Sequence, residues 1–234
     1  MPILECCALS KRFGAVQALD EVSLTIEPGR VVGLLGPNGS GKTTLLKLAN
    51  GLLTPTGGEI LINGIAPGRE TRGEVSYLPD RPYLADWMKV RQLLDLFEDF
   101  YEDFDRDRAT EMLLRLNIGG DMPIREMSKG TREKTQLILV MSRNARLYLL
   151  DEPIGGVDPA TRDYILNTII RNYNPEAAVV ISTHLIADVE QVLDDVIFIN
   201  QGKVLLKSSV DAIREEHGMS VDRYFREVFR CWEN

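Results

Sequence analysis

Nine residues, "GPNGSGKTT" (36–44), concentrate the most distinctive chemistry of the chain. They fit G-x-x-x-x-G-K-[ST], the spacing of a loop that cradles the phosphates of a nucleotide. Gly36, Gly39 and Gly41 let backbone N–H groups curl around an anion. Lys42 then reaches the β- and γ-phosphates and Thr43 offers a hydroxyl to Mg²⁺. The helix opened by Thr43 and Thr44 adds the positive end of its dipole. A plain glycine turn before a helix is the alternative. The apolar run "RVVGLLG" before the loop and "TTLLKLAN" after it supply the strand and helix that a nucleotide site requires.

Two further groups fit the same chemistry. The run "LYLLDEP" (147–153) ends a buried strand in two carboxylates. Asp151 at the strand end suits the Mg²⁺ shell, and Glu152 beside it suits polarising a water for attack on the γ-phosphate. Apolar strands often end in an acidic residue, so the pair takes its meaning from the loop at 36–44. His184, one of two histidines, ends "AAVVISTH". It is either an ordinary loop histidine or a γ-phosphate contact, because neighbouring parallel strands end facing the nucleotide. A fourth stretch, "MSKGTREK" (127–134), sets a serine, a lysine and a glycine just before a run that reads as a helix from about Thr131.

These residues need elements to hold them. Residues 3–35 read as short strands broken by turns, followed by the loop and helix at 36–51 and by strands at "GEILING" and "EVSYL". From 83 to 145 the pattern turns helical. Val90, Leu93, Leu94, Phe97 and Phe100/Tyr101 form one apolar stripe. After 146, strands alternate with helices, which implies a parallel sheet with the helical block inserted as an arm. The tail reads as two short helices.

Bulk properties narrow the function. The 234 residues carry 27 basic and 35 acidic side chains, a net −8 with pI near 5.0, which argues against a nucleic-acid surface. Cys6, Cys7 and Cys231 have no metal-ligand spacing and are expected to be reduced cytosolic thiols, with Cys6 and Cys7 on opposite faces of a strand. The start "MPILECCALS" lacks the features of a signal peptide. No apolar run approaches the ~20 residues that span a bilayer, so work at a membrane requires a second, spanning chain.

In order and spacing the motifs resemble those of the nucleotide-binding subunit of ABC transporters, over essentially the whole chain. The resemblance makes 36–43 Walker A and 147–152 Walker B. Glu152 becomes the catalytic glutamate, His184 the switch histidine, and "GGVDP" (155–159) the D-loop with Asp158 as its aspartate. Phe13, 23 residues before Gly36, matches the aromatic residue that stacks on adenine. The implied ATP site is then Phe13, Gly36, Pro37, Asn38, Gly39, Ser40, Gly41, Lys42, Thr43 and Thr44. Thr43, Asp151 and Asp80 are implied around Mg²⁺, and Glu152, His184 and Lys42 carry the chemistry.

"MSKGTREK" stands at the place of the L-S-G-G-Q signature, with Ser128 and Gly130 matching, Lys129 for a glycine and Thr131 for the glutamine. Lys129 either adds charge towards phosphate or faces water. In the family the signature serves ATP held by a second subunit, so Ser128 and Gly130 are implied in trans, with Asp158 of the D-loop as a further nucleotide-site residue. The Q-loop glutamine is replaced by Asp80, which either offers an oxygen to the cation or pairs with Arg81.

The implied fold is α/β, a P-loop NTPase with a RecA-like mixed core sheet, an N-terminal antiparallel β-subdomain and an inserted helical arm. A single ABC ATPase domain over 1–234 would place its core at about 1–82 and 146–206, the arm at about 83–145 and the C-terminal helices at about 207–234. The implied function is ATP hydrolysis driving transport through a separate permease, by a homodimer or paralogue heterodimer on the cytoplasmic face of the membrane. The short arm and two-helix tail look most like bacterial ABC-2 exporters. A soluble ABC ATPase of iron–sulfur assembly is the other reading. In the family, "PYLADWM" (82–88) lines the permease groove, with Tyr83, Leu84, Trp87 and Met88 as its floor, unless these residues only pack the arm.

Overall fold

The computed structural model describes residues 1–230, so Cys231 lies outside the described residues. The chain opens with a hairpin, β1 (Leu4–Phe13) and β2 (Val16–Ile26). It then enters β3 (Val31–Leu35), the phosphate loop and α1 (Lys42–Ala49) before β4 (Gly57–Ile62). β1 lies between β2 and β4 in a three-stranded antiparallel sheet. Cys6 on β1 is buried and Cys7 is partly exposed, as strand alternation requires.

β5 (Val75–Leu78) leads into the arm, α2 (Val90–Phe100), α3 (Arg106–Arg115) and α4 (Lys129–Met141). The chain returns through β6 (Leu147–Asp151), α5 (Pro159–Asn172), β7 (Ala178–Thr183), α6 (Ile186–Val189), β8 (Asp195–Asn200) and β9 (Lys203–Ser209). The larger sheet has the order β5-β6-β7-β3-β8-β9, parallel except for the β8–β9 hairpin. Its central strands β3, β6 and β7 are buried throughout. That is why they read as unbroken apolar runs: a parallel sheet is covered on both faces. One face packs on α1 and the antiparallel sheet, the other on α4, α5 and the tail helices α7 (Val210–His217) and α8 (Val221–Arg230).

The arm has its own apolar cluster, built by Val90, Leu93, Leu94 and Phe97 of α2 with residues of α3 and α4. Tyr101 packs on that cluster, whereas Phe100 is 74% exposed. At ~100° per residue, position 101 returns close to the bearing of Val90 and position 100 falls well off it. The stretch 82–88 divides as well. Leu84 and Met88 are buried in the arm, Tyr83 is exposed and Trp87 is 75% exposed. They do not form one continuous floor.

Arg143, just past α4, fixes the arm to the sheet. Only 2% exposed, it donates to the carbonyls of Val75 (2.6 Å) and Gly73 (2.7 Å), pairs with Asp103 at 2.9 Å and lies 3.9 Å from the Tyr101 ring. Such a buried cation is tolerated because its donors are used. Among the described residues no helix is long and apolar enough to cross a membrane.

Candidate functional site

Register assembles the site. In the parallel sheet Leu35 is level with Thr183, and Asp151 with Ser182. The residues one step beyond, Gly36, Glu152 and His184, therefore emerge together at the carboxyl ends of β3, β6 and β7. This is the edge where open α/β sheets bind ligands.

The loop from 36 to 41 is clamped from two sides. A Cβ on Gly36 would stand 2.2 Å from the Ile199 carbonyl oxygen, and one on Gly41 2.6 Å from that of Ala18. Gly41 also has φ 110°, so both places exclude a side chain. At the start of α1, Lys42 is 6% exposed and donates to the carbonyls of Gly36 (2.8 Å) and Pro37 (3.2 Å). Its amine lies 3.6 Å from a Glu152 oxygen. Burial lowers the Lys42 pKa, and the carboxylates of Glu152 and Asp151 work against that shift.

Asp151 is 1% exposed. One of its oxygens accepts from Ser182 Oγ (2.5 Å) and Thr43 Oγ1 (3.2 Å), while the other, Oδ2, is buried without a partner. Burial raises its pKa, the Ser182 and Thr43 hydroxyls oppose the shift, and the charges of Asp80 and Glu152 add to it. A buried carboxylate with an unused oxygen, a hydroxyl beside it and a second carboxylate whose field reaches it is a donor set for a hard cation. Among the described residues no three acidic, histidine or cysteine side chains form a metal-binding group. A cation here would therefore share phosphate oxygens, which is the way Mg²⁺ is held at nucleotide sites.

Glu152 has φ 49°, a left-handed conformation costing about 1–3 kcal/mol in a residue with a Cβ. The conformation is held by its N–H, which donates to the Ser182 carbonyl (2.9 Å). The carboxylate accepts from Thr183 Oγ1 at 3.1 Å, and both of its oxygens lie 3.1 Å from His184 Nδ1. Lys42, Asp151, Glu152 and His184 thus form one connected group.

Asp80 is half-exposed, and its contact with Arg81 is a loose 4.0 Å. Phe13 closes the tip of the β1–β2 hairpin, paired with Val16 and with Lys11 Nζ 5.0 Å over its ring. Ser128, Gly130 and Asp158 stand apart. Among the described residues no hydrogen bond or ion pair joins them to residues 36–44. Ser128 caps α4, which starts at Lys129 and not at Thr131, by accepting from Thr131 N (3.2 Å). Asp158 caps α5 through Thr161 N (3.0 Å) and Oγ1 (2.7 Å), and those bonds lower its pKa. The two helix starts abut, because a Cβ on Gly130 would lie 3.6 Å from Thr161 Oγ1. Lys129 lies largely in water, two-thirds exposed, and from there its amine donates to the Gly156 carbonyl (3.3 Å) and lies 3.7 Å from Glu133.

Sequence reasoning missed three hydroxyls. Ser182 and Thr183 hold the two carboxylates, and "ST" before His184 was the available signal. Tyr77 on β5 has a buried, unpartnered hydroxyl, and its pKa is raised by burial and by the charges of Asp151 and Asp80.

The fold and this group of residues define a P-loop nucleotide hydrolase. Residues 19–155 match the ABC transporter family, and the chain belongs to it. It is 31% identical over 218 residues to "ABC transporter ATP-binding protein YtrB" of Bacillus subtilis, covering 92% of this chain and 75% of that protein. It is 28% identical to "SkfA peptide export ATP-binding protein SkfE" of the same organism, covering 92% and 93%. A solved ATP-binding subunit of an ABC transporter superposes with TM-score 0.87 at 29% identity, covering 97% of this chain and 99% of that one. The cassette MJ0796, solved as a dimer in a post-hydrolysis state with ADP and Pi, gives 0.77 at 22% identity, covering 88% and 98%, and shares the fold. The chain is an ATP-binding, ATP-hydrolysing subunit of this family.

Proposed function

We propose that this subunit works as a head-to-tail dimer on the cytoplasmic face of a membrane, powering export through a separate permease. Lys42 and the loop 36–44 hold the triphosphate of ATP, and Phe13 stacks on the adenine. Thr43, Asp151 and Asp80 take Mg²⁺, which neutralises charge on the phosphates when bound. Glu152 accepts a proton from the attacking water, and His184 steadies that carboxylate and touches the γ-phosphate.

The carrying observation is the separation of two half-sites. Lys42, Asp151, Glu152 and His184 cluster at the strand ends, while the Ser128–Gly130 helix start has no bond to its own chain's phosphate loop. A loop, a lysine and a cation cover one side of a triphosphate and leave the other to water. A second chain's α4 start, with Ser128, the Gly130 backbone and the nearby Asp158, covers that side and completes the charge stabilisation. The naming of SkfE as a peptide-export protein supports the direction of transport. The dimeric MJ0796 cassette supports the pairing.

Complementation tests this. Lys42→Ala and Ser128→Arg are each expected to be nearly inactive alone, one unable to hold ATP and the other unable to close over it. Mixed one to one they should regain activity, because a heterodimer contains one intact loop facing one intact α4 start. If heterodimers demonstrably form and the mixture stays dead, either the composite site fails or hydrolysis needs two intact sites. An ATP-dependent cross-link between cysteines placed near Ser128 and Ser40 of opposite chains decides: its absence refutes the composite site.

A further inference from the structure

We propose that Lys129 is a positioning residue. It ties the α4 start to the turn that carries Glu152, so that closure over one ATP is felt at the catalytic carboxylate serving the other. The coupling rests on the dimer reading above; the tie itself does not.

Lys129 leaves α4 in its first turn and returns over the 155–157 turn. Its ammonium donates to the Gly156 carbonyl at 3.3 Å and is held from behind by Glu133, one helical turn on, at 3.7 Å. Glu133 suits that task. Its Oε2 is buried without a hydrogen-bond partner, and its pKa is raised by burial, against which the Lys129 charge acts. The receiving turn is shaped for the approach: Gly156 has φ 70°, and a Cβ there would stand 3.0 Å from Lys129 Nζ.

The same turn leads straight to the chemistry. Gly155 N–H donates to the Glu152 carbonyl at 3.0 Å, and a Cβ on Gly155 would touch Glu152 Cβ at 3.5 Å. Glu152 already occupies an uncommon backbone conformation, so a small displacement of the turn re-aims its carboxylate relative to Lys42 and His184. On the other side, Gly130 abuts Thr161 of α5. The segment 128–131 and the segment 152–161 therefore form one body with two points of contact. The signature that this stretch resembles has a glycine where Lys129 stands, and a glycine has no side chain with which to make the bridge.

Two measurements on the intact chain test the inference, with Lys129→Gln as the cut and Lys129→Arg as the conservative control. Lys129 is two-thirds exposed, so both variants should fold. Hydrogen exchange at the Gly155 amide, in the isolated chain without nucleotide, is expected to speed up about two- to fivefold in Lys129→Gln. Lys129→Arg should keep the wild-type rate. Unchanged exchange in Lys129→Gln overturns the tie.

ATP titrations of hydrolysis then read the coupling. Lys129→Gln should lower kcat and the Hill coefficient together at an unchanged half-saturating ATP concentration, and Lys129→Arg should restore both. A raised half-saturating concentration with unchanged kcat would instead make Lys129 a direct phosphate contact and overturn the coupling. If the wild type forms no ATP-dependent dimer, the composite site and the coupling both fall, while the exchange result still judges the tie.

Discussion

Replacing Glu152 by glutamine isolates the proton acceptor from everything else the side chain does. Glutamine has the same length and branching, so the φ of 49° carries the same strain in both forms. Its remaining carbonyl oxygen can still accept from Thr183 Oγ1, which lies 3.1 Å from the glutamate oxygen it replaces. Its NH₂ is matched by His184 Nδ1, at 3.1 Å from either carboxylate oxygen, when that nitrogen is unprotonated. Lys42 keeps the Gly36 and Pro37 carbonyls, so the loop retains its shape and ATP binding should survive. What disappears is one negative charge 3.6 Å from Lys42 and the carboxylate placed beside His184. A general base typically contributes ~10²–10⁴ in rate. That corresponds to about 3–5 kcal/mol of barrier at ~1.4 kcal/mol per decade. Single-turnover hydrolysis, with nucleotide binding measured in parallel, should show turnover nearly stopped and affinity kept. Lys42→Ala should do the reverse and lose the affinity itself. A Glu152→Gln protein retaining half the wild-type rate would refute the assignment of the catalytic carboxylate.

Asp80 is predicted to belong to the cation shell: Asp80→Ala should raise the Mg²⁺ concentration for half-maximal hydrolysis and Asp80→Gln should largely restore it, whereas identical titrations would return Asp80 to its loose contact with Arg81. Asp151 should show a conflict between stability and function. Its folded pKa lies above the unfolded value of 3.8, so its contribution to stability is full below that pH and is lost as pH rises through the folded pKa. In the nucleotide-free protein at neutral pH, Asp151→Asn is therefore expected to raise Tm while abolishing Mg²⁺-dependent hydrolysis; a lowered Tm would contradict the burial argument. Trp87 and Leu84 separate permease docking from arm packing. Trp87→Ala should break co-purification with the permease and leave Tm unchanged. Leu84→Ala, which empties a buried position in the arm, should cost about 2–5 kcal/mol in denaturant unfolding. Loss of Tm in Trp87→Ala would assign that ring to packing.

The half of the site that binds the triphosphate was legible because its geometry is local and periodic. A glycine-rich loop between a strand and a helix fixes its own shape, and apolar runs fix which strands are central. Parallel register does the rest by bringing Gly36, Glu152 and His184 to one edge. What sequence reasoning missed is set by approach through space. An arginine reads as surface, yet Arg143 is buried because Asp103, two carbonyls and a tyrosine ring converge on it from two segments distant in sequence, 73–75 and 101–103. Periodicity placed the α2 stripe but left its last member open between Phe100 and Tyr101, since the helix ends there and one residue decides which side chain turns inward. Lys129 is the sharper case. The side chain is in water, as sequence allows, but the contact it makes there is not readable, because the carbonyl it meets lies 27 residues on, across a turn whose course depends on how α4 and α5 pack.

The same reasoning bears on what the two half-sites do. A residue that acts on its own chain's ligand leaves a trace in spacing, since loop, strand and carboxylate must fall in order along one polypeptide. A residue that acts on a partner's ligand is under no such constraint from its own chain's loop, and Ser128 and Gly130 were legible only through the resemblance of "MSKGTREK" to the signature. Ser128 satisfies its own helix by capping and gives no sign, within one chain, of a second duty. The geometric hint is that the α4 start is tied to the Glu152 turn through Lys129 and abuts α5 at Gly130, when capping alone would need neither contact. A helix cap that is also bonded to the catalytic turn is placed to report what touches it. Comparing the exchange of the Gly155 amide with and without an ATP-closed partner, in wild type and Lys129→Gln, would show whether it does.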